Sequence, residues 1–191
     1  NVAPMRKLKM DELGRKSLTQ FKASEKNPVI IVLDNVRSMH NVGSIFRTAD
    51  AFLTEAIFLC GYTPQPPHRD IQKTALGATE SVDWMYFETL LEAVLNLKDA
   101  GYKIFAVEQA DQSISLSNFQ MDAKEKTAFI FGNEVEGVQD DVLPYCDGCI
   151  EIPQAGTKHS FNISVAAGIV MCKISEAFLN TSILQKNKNE F

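Results

Sequence analysis

The feature that most constrains this 191-residue chain is an alternation, from Pro28 onward, of short apolar runs with stretches of helical periodicity. The first run, VIIVLD at Val29–Asp34, is apolar almost throughout, which is typical of a strand buried on both faces of a parallel sheet. The alternation predicts an α/β fold, a mostly parallel sheet flanked by helices. The predicted strands are 29–34, 56–60, 82–87, 103–108, 128–132 and 149–153, and the predicted helices are 42–52, 71–76, 89–100, 139–143 and 163–179.

The chain has the size of one compact domain. Its 191 residues, of which 45% are hydrophobic, can bury one substantial core and do not need two. We expect a basic, helical N-terminal extension at 1–27, the main domain at 28–180, and a poorly ordered tail at 181–191. Since no apolar run approaches the roughly 18 residues of a membrane span or resembles a signal peptide, we expect a cytoplasmic protein with no membrane partner.

The charge is unevenly distributed along the chain. The formal net charge of −5 argues against a general nucleic-acid binder, because phosphate contacts require Lys and Arg. Residues 1–26, however, contain seven Lys and Arg against three Asp and Glu, a net +4 that leaves −9 for the remainder. This basic segment is either an electrostatic contact for RNA or a solvated helix face, and the sequence leaves both open.

The four cysteines do not form the dense pattern of a disulfide-stapled domain, which fits a reducing compartment. Cys146 and Cys149 form a C-x-x-C motif, but no second pair completes a structural zinc site and the motif does not open a helix. We therefore expect two ordinary, partly buried thiols and no metal site.

Two common nucleotide-binding motifs are absent. No G-x-G-x-x-G sequence follows the first predicted strand, which argues against a standard dinucleotide site. Gly132 and Gly137 have the spacing of a Walker A loop, but Val138 and Gln139 stand where that loop needs Lys and Ser or Thr. In open α/β sheets ligands bind at the carboxyl ends of strands, so the loops after residues 34, 60, 132 and 153 are the expected location of the chemistry.

Three segments at predicted strand ends contain unusual residues. Asp34–Phe52 places Arg47 in the first turns of a helix, where it is either an anion-binding group or a surface ion-pair partner. Phe129–Val138 combines two glycines with two carboxylates, in a ligand-facing turn or an ordinary Gly-rich one. Ile152–Ile169 is a strand end, a polar loop and a helix whose first residues include good N-caps.

In this order, each after a strand, the three segments resemble the sequence motifs of the SpoU (TrmH-like) family of RNA 2′-O-ribose methyltransferases, in the SPOUT superfamily. The resemblance extends from about Val29 to Phe178, and the KTALGA run at 73–78 is also similar to a family loop. The matching residues are Asn41, Gly43 and Arg47, then Gly132, Glu134 and Gly137, then Pro153, Gly156, Ser160, Asn162, Ser164 and Ala166.

The resemblance implies a fold and a cofactor that the residues alone do not. It implies a C-terminal deep trefoil knot, although true knots are nearly absent among proteins. It also implies a homodimer with active sites near the interface, and S-adenosylmethionine as cofactor, with S-adenosylhomocysteine as product. Carried over by position, the cofactor-binding residues are Gly132, Ile152, Pro153, Phe161 and Asn162, and the catalytic residues are Arg47, Asn41, Glu134, Ser160 and Asn162. Phe161 and Gln154 depart from the residues usual in the family, Leu and Met.

The implied activity is methyl transfer to a ribose 2′-hydroxyl of RNA, with tRNA expected ahead of rRNA. The family proposal makes Arg47 the group that removes the hydroxyl proton. Because arginine is almost never deprotonated in proteins, we expect phosphate positioning and electrostatic stabilisation instead. Asn41, Ser160 and Asn162 would orient the ribose and the loop, and Glu134 would hold Arg47 or the dimer contact. The alternatives are a catalytically inactive, knotted RNA-binding or assembly factor, and a methyltransferase that acts on a base.

Overall fold

A computed structural model describes residues 5–188 of the chain, with side chains at 5–9 and 11–179. Its centre is a sheet of seven strands, every pair of which is parallel, in the order β3-β2-β1-β6-β4-β7-β5. The predicted mostly parallel sheet is therefore confirmed. The strands are β1 Asn27–Asp34, β2 Thr54–Cys60, β3 Asp83–Phe87, β4 Lys103–Val107, β5 Ile114–Ser115, β6 Thr127–Phe131 and β7 Gly148–Glu151.

Strand β1 lies in the middle of the sheet and supplies both hydrophobic cores. Successive side chains of a strand point to opposite faces. Val29, Ile31 and Leu33 accordingly pack into the core beneath one layer of helices, while Ile30 and Val32 pack into the core on the other face. All six residues from Val29 to Asp34 are buried, which explains why the run is apolar without alternation.

Helices cover both faces of the sheet. One face is covered mainly by α2, α3 and α6, and the other by α5. The helices are α1 Leu18–Ala23, α2 Met39–Ala51, α3 Arg69–Ala75, α4 Ala78–Ser81, α5 Leu90–Asp99 and α6 Ile163–Lys188, and short 3-10 turns lie at Met10–Leu13 and Leu143–Tyr145.

Local sequence explains where α5 begins and which face it buries. Thr89 caps the helix: its hydroxyl accepts a hydrogen bond from the Glu92 N–H at 3.2 Å, and the Glu92 carboxylate accepts one from the Thr89 N–H at 3.3 Å. The buried residues recur at helical spacing and are Leu90, Ala93, Val94 and Leu97.

Helix α6 is the longest helix and extends beyond its predicted end near Leu179, to Lys188. Residues 181–188 belong to this helix, residues 189–191 lie outside the described residues, and the poor order expected of the tail at 181–191 stays a prediction. Within the described part of the chain, no helix combines the length and the apolar character needed to cross a bilayer.

The predicted helix at 139–143 is wrong, because this stretch forms turns that lead into the 3-10 turn Leu143–Tyr145. The reason is Pro144, which has no backbone N–H and fits only the first turn of a helix, so a helix cannot continue through it. The two-residue strand β5 and the single-turn helix α4 were not predicted.

Candidate functional site

A cavity of about 440 Å³ lies at the carboxyl ends of strands β4, β6 and β7. These three strands are neighbours in the order β6-β4-β7, so the loops that follow them meet at one edge of the sheet. The cavity walls come from residues 107–109, 131–137 and 152–166. The loops after residues 132 and 153 were predicted to carry chemistry, whereas the loop after β4 was not. The loops that follow β1 and β2 contribute to a different cavity.

The loop after β6 is a tight turn that only glycine permits at its start. Asn133 and Gly137 exchange two backbone hydrogen bonds of 3.0 Å, and the Asn133 side-chain oxygen accepts a further one, at 2.8 Å, from the Val135 N–H. A Cβ atom at Gly132 would lie 2.0 Å from the Gly137 carbonyl carbon. Gly132 therefore allows the turn to close on itself. The sequence analysis explained this glycine by the close approach of a ligand, whereas in the structure the Gly137 backbone makes the close approach.

Glu108 and Gln109, which the sequence analysis did not single out, connect the cavity loops. One Glu108 carboxylate oxygen accepts from the Val138 N–H at 3.2 Å, and the other accepts from the Gln109 N–H at 2.9 Å. The Gln109 side-chain amide donates to the His159 carbonyl at 2.5 Å. The end of β4 is thus bonded to the loop after β6 and to the loop after β7. The only sequence signal was a carboxylate at the end of a predicted strand.

The three predicted motifs meet at the edge of this cavity through a short chain of polar side chains. The Asn41 amide donates to the Glu134 carboxylate at 3.5 Å, and the Asn162 amide donates to the Asn41 side-chain oxygen at 3.3 Å. Asn162 also begins α6, because its side-chain oxygen accepts hydrogen bonds from the Ser164 N–H and hydroxyl at 2.9 and 2.7 Å. The capping role weighed for this residue is therefore confirmed, and its role in the site stays a prediction.

The remaining predicted residues differ in their distance from the cavity. Glu134, Ser160 and Phe161 line it, as do Gly132 and Ile152, and Phe161 remains 39% exposed as a residue. Pro153 is exposed and does not line the cavity, and Asn41 and Asn162 lie outside the lining residues. Five of the nine predicted residues therefore form the wall directly.

Arg47 is exposed and lies in a separate groove, together with Arg15 and Lys16 of the N-terminal extension. Helix geometry explains the separation from Asn41 on the same helix. Six residues of an α-helix advance roughly 9 Å and rotate the side chain by about 120°. In this chain Arg47 therefore does not meet Glu134, and its guanidinium makes no ion pair within the part of the chain that the structure describes.

Gly43 has a packing role. A Cβ atom at this position would lie 2.2 Å from both the Ile71 carbonyl oxygen and the Thr74 hydroxyl, so α2 and α3 could not approach as closely with a larger residue. The Thr74 hydroxyl uses this proximity to donate to the His40 carbonyl at 2.9 Å. Gly43 therefore fixes the position of the helix that carries Asn41 and Arg47.

The cavity next to these motifs is acidic. Three carboxylates line it, those of Glu108, Glu134 and Glu136, and no Lys or Arg does so among the described residues. The other ionisable lining side chain is His159. Such a wall favours a ligand that carries positive charge over an anion.

Cys146 and Cys149 are free, partly buried thiols. Burial is the main cause that raises the pKa of Cys146 to about 11, and it also raises the pKa of Cys149, whose thiol donates to the Glu108 carbonyl at 3.3 Å. Among the side chains that the structure describes, at 5–9 and 11–179, no group of three or more His, Cys, Asp or Glu residues is arranged to hold a metal ion.

Comparisons with known proteins show which family the sequence matches. Residues 28–172 match the profile of the SpoU rRNA Methylase family. A "Putative TrmH family tRNA/rRNA methyltransferase" of Staphylococcus saprophyticus is 31% identical over 157 residues, which are 82% of this chain and 62% of the relative. The "23S rRNA (guanosine-2'-O-)-methyltransferase RlmB" of Neisseria meningitidis is 29% identical over 144 residues, 75% of this chain and 56% of the relative. The chain thus spans less than two thirds of the length of both.

Solved structures share the fold. The TrmH/SpoU tRNA modifying enzyme of A. aeolicus superposes with a TM-score of 0.76 at 24% identity, over 86% of this chain and 82% of that one. An AdoMet-bound rRNA methyltransferase from Sinorhizobium meliloti gives a TM-score of 0.72 at 25% identity, over 78% of this chain and 56% of that one.

Proposed function

Because the chain belongs to the SpoU rRNA Methylase family, we propose that it transfers a methyl group from S-adenosylmethionine to the 2′-hydroxyl of a ribose in RNA. The observation that supports this most directly is the meeting of Asn41, Glu134 and Asn162 beside one strand-end cavity. These residues come from three separate parts of the chain, and they are the residues that the family resemblance marks.

The cavity is suited to S-adenosylmethionine in size and in charge. Its volume of about 440 Å³ is in the range of small-molecule sites, and its three carboxylates favour a ligand with sulfonium and ammonium groups. Gly132 and Ile152 would hold the cofactor with their backbone, and Phe161 would pack against it. Pro153 and Asn162 would act indirectly, by ending the strand and starting α6. When bound, S-adenosylmethionine supplies an electrophilic methyl group and leaves as S-adenosylhomocysteine.

Methyl transfer to a hydroxyl requires alignment of the acceptor and help in removing its proton. We propose that Ser160, with its exposed side chain at the cavity wall, and the Asn41–Glu134–Asn162 chain orient the ribose. Arg47 would bind an RNA phosphate and stabilise the negative charge that develops on the ribose oxygen.

The position of Arg47 makes a homodimer part of the proposal. Since this side chain lies in another groove of its own chain, the arginine that serves the cavity would be Arg47 of the partner subunit. Closed two-fold dimers are the most frequent oligomers, and they place one residue of each subunit beside the site of the other.

We also propose that the C-terminal part of the domain forms the trefoil knot of this family. The observation that supports it is the course of α6, which starts in the cavity wall at Ile163, beside the loop after β6, and packs against α2.

The groove that contains Arg47 would be the contact for the RNA backbone. It has a volume of about 600 Å³ and brings Arg15, Lys16 and Arg47 together, and none of the three makes an ion pair within the described residues. The lining carboxylates are Asp50, which accepts a hydrogen bond from the Ser81 hydroxyl, and Glu80. The three cations exceed the two carboxylates, which favours an anion, and the N-terminal extension would supply two of them.

Replacing Arg15 and Lys16 together with alanine should weaken binding of unfractionated tRNA about 10- to 100-fold at low salt. It should also lower the slope of log affinity against log salt by roughly 1–2, because two phosphate contacts are lost. Fluorescence anisotropy at a series of salt concentrations measures both quantities. The matched control is Lys7→Ala with Lys9→Ala, which removes two charges of the same extension outside the groove. An equal effect of both pairs would mean that only overall charge matters.

Analysis of methylated nucleosides tests the activity itself. Purified protein is incubated with S-adenosylmethionine and with tRNA or rRNA from cells that lack the protein, and the RNA is digested to nucleosides. We expect a 2′-O-methyl nucleoside, in tRNA first and in rRNA as the second candidate, which the name of the Neisseria relative supports. A methylated base instead would contradict the ribose assignment.

A calorimetric titration with S-adenosylmethionine distinguishes the proposed methyltransferase from the alternative, an inactive RNA-binding or assembly factor. A factor that has lost catalysis has no need to bind the cofactor. The connected Asn41, Glu134 and Asn162 side chains favour an active enzyme, because an abandoned site has no reason to keep this arrangement.

A further inference from the structure

A second cavity, of about 400 Å³, lies at the carboxyl ends of β1, β2 and β3 and has no role in the proposed methyl transfer. Asn35 of the loop after β1, Gly61 and Tyr62 of the loop after β2, and Tyr86 of β3 line it. Its volume lies in the range of sites that take a small molecule of nucleoside size. It opens on the same edge of the sheet as the cofactor cavity, because all seven strands are parallel.

The two cavities share a wall, which is the loop that follows β6. Asn133 lines the cofactor cavity, and its side-chain amide donates at 3.0 Å to the carbonyl of Asn35, which lines the second cavity. Gln139, two residues beyond Gly137, also lines the second cavity. An extended ligand that is bound in one cavity therefore lies next to the other cavity.

The second cavity presents an aromatic ring from a rigid turn. Tyr62 is an exposed residue, at 83% relative accessibility, while its backbone N–H donates to the Asn35 side-chain oxygen at 2.9 Å. The preceding Gly61 has a φ of 59° and donates to the Phe87 carbonyl at 3.1 Å, and its own carbonyl accepts from the Tyr86 hydroxyl at 3.2 Å. The backbone is fixed, and the Tyr62 ring remains free for a partner.

The polar groups of this cavity fit a nucleobase better than a phosphate. Its one charged lining residue is Glu88, which repels phosphate. The Gln139 amide N–H donates to Asp34 at 2.8 Å, which leaves the Gln139 side-chain oxygen as an acceptor for an amino group. Asp34 itself is buried and does not line the cavity, so it holds the Gln139 side chain in place rather than contacting a ligand.

We propose that this cavity holds an unpaired nucleobase of the substrate RNA, stacked on Tyr62, close along the RNA chain to the ribose that is methylated. The proposal rests on the proposed function, because it needs an RNA substrate whose ribose lies beside the cofactor cavity. Stacking on an exposed aromatic ring tolerates every base, and the hydrogen-bonding groups of Gln139 would add preference for a base with an amino group.

The test compares single-stranded oligoribonucleotides with and without bases. Anisotropy titrations with (rA)8, (rC)8 and (rU)8, and with an abasic oligomer of the same length, are made with the full chain and two variants. We expect Tyr62→Ala to weaken binding of the base-containing oligomers roughly 10- to 100-fold. Tyr62→Phe, which keeps the ring, should stay within about threefold of the unmodified protein, and the abasic oligomer should bind all three proteins equally.

Two results would overturn the proposal. One is unchanged binding of the base-containing oligomers by Tyr62→Ala. The other is an equal loss of affinity for the abasic oligomer, which would mean that Tyr62 contacts the sugar-phosphate backbone of the RNA and not a base.

Calorimetry with S-adenosylmethionine keeps this test separate from the proposed function. Tyr62 does not line the cofactor cavity, so Tyr62→Ala should bind S-adenosylmethionine within about twofold of the unmodified protein. Failure of the unmodified protein to bind S-adenosylmethionine would contradict the proposed function alone.

Discussion

Gly132→Ala should abolish measurable binding of S-adenosylmethionine, with a loss of affinity of about 100-fold or more. The added Cβ atom would lie 2.0 Å from the Gly137 carbonyl carbon and 2.2 Å from the Val138 nitrogen, and these are backbone atoms that cannot rotate away. The turn must open and lose the paired Asn133–Gly137 hydrogen bonds, at a cost of roughly 1–3 kcal/mol before any backbone strain of similar size. Isothermal titration calorimetry measures the loss.

The matched control for this variant is Gly156→Ala. No atom lies within 4 Å of a Cβ at Gly156, so this substitution should leave the affinity for S-adenosylmethionine within about twofold. Circular dichroism of both variants separates a local change in the turn from a loss of the fold. Normal cofactor binding by a folded Gly132→Ala protein would show that the turn after β6 does not form the cofactor site.

Arg47→Ala should lower the rate of methyl transfer by about 10²–10³-fold or more, because a charged group that stabilises developing negative charge is lost. Binding of S-adenosylmethionine should change less than about threefold, since Arg47 does not line the cofactor cavity of its own chain. Single-turnover assays with tritiated cofactor measure the rate, and Arg69→Ala, at an exposed arginine of α3, is the control. Retained turnover in Arg47→Ala would remove this residue from the mechanism.

Mixing the two inactive variants distinguishes an arginine from the same chain from one of the partner subunit. When Gly132→Ala and Arg47→Ala chains are co-expressed, half of the random dimers contain one of each. If Arg47 serves the site of the other subunit, each mixed dimer has one complete site, and about a quarter of the full activity should return. No recovery in mixed dimers would place Arg47 in the site of its own chain.

The sheet and its helices could be predicted closely, because local residues determine them. The apolar run of β1 requires burial on both faces, and Thr89 with Glu92 marks the start of α5 to within one residue. The helix predicted at 139–143 is absent because Pro144 follows directly after it, and an α-helix cannot continue through a proline. Strand β5 has two residues, too few for any periodicity to indicate a strand.

The site could be predicted only in part, because its assembly depends on strand order and helix rotation. Glu108 was missed since the sequence does not say that β4 lies between β6 and β7, which is what brings its end to the cavity. Arg47 and Asn41 were expected together, although their separation of six positions turns their side chains to different faces of α2. Sequence motifs therefore identified the residues, but only the fold shows which of them lie close together in space.

Because the side chains of β1 alternate between two cores, this strand determines how the protein responds to a destabilising core substitution. A cavity-forming substitution in Ile31 or in Val32 would loosen a different layer of helices in each case, yet both residues belong to the strand whose end carries Asp34 and Asn35. If either layer of helices unfolded alone, that strand would lose the packing contacts on one of its two faces. The rim that holds both cavities should thus persist or disappear as a single cooperative unit, with no half-formed site in between.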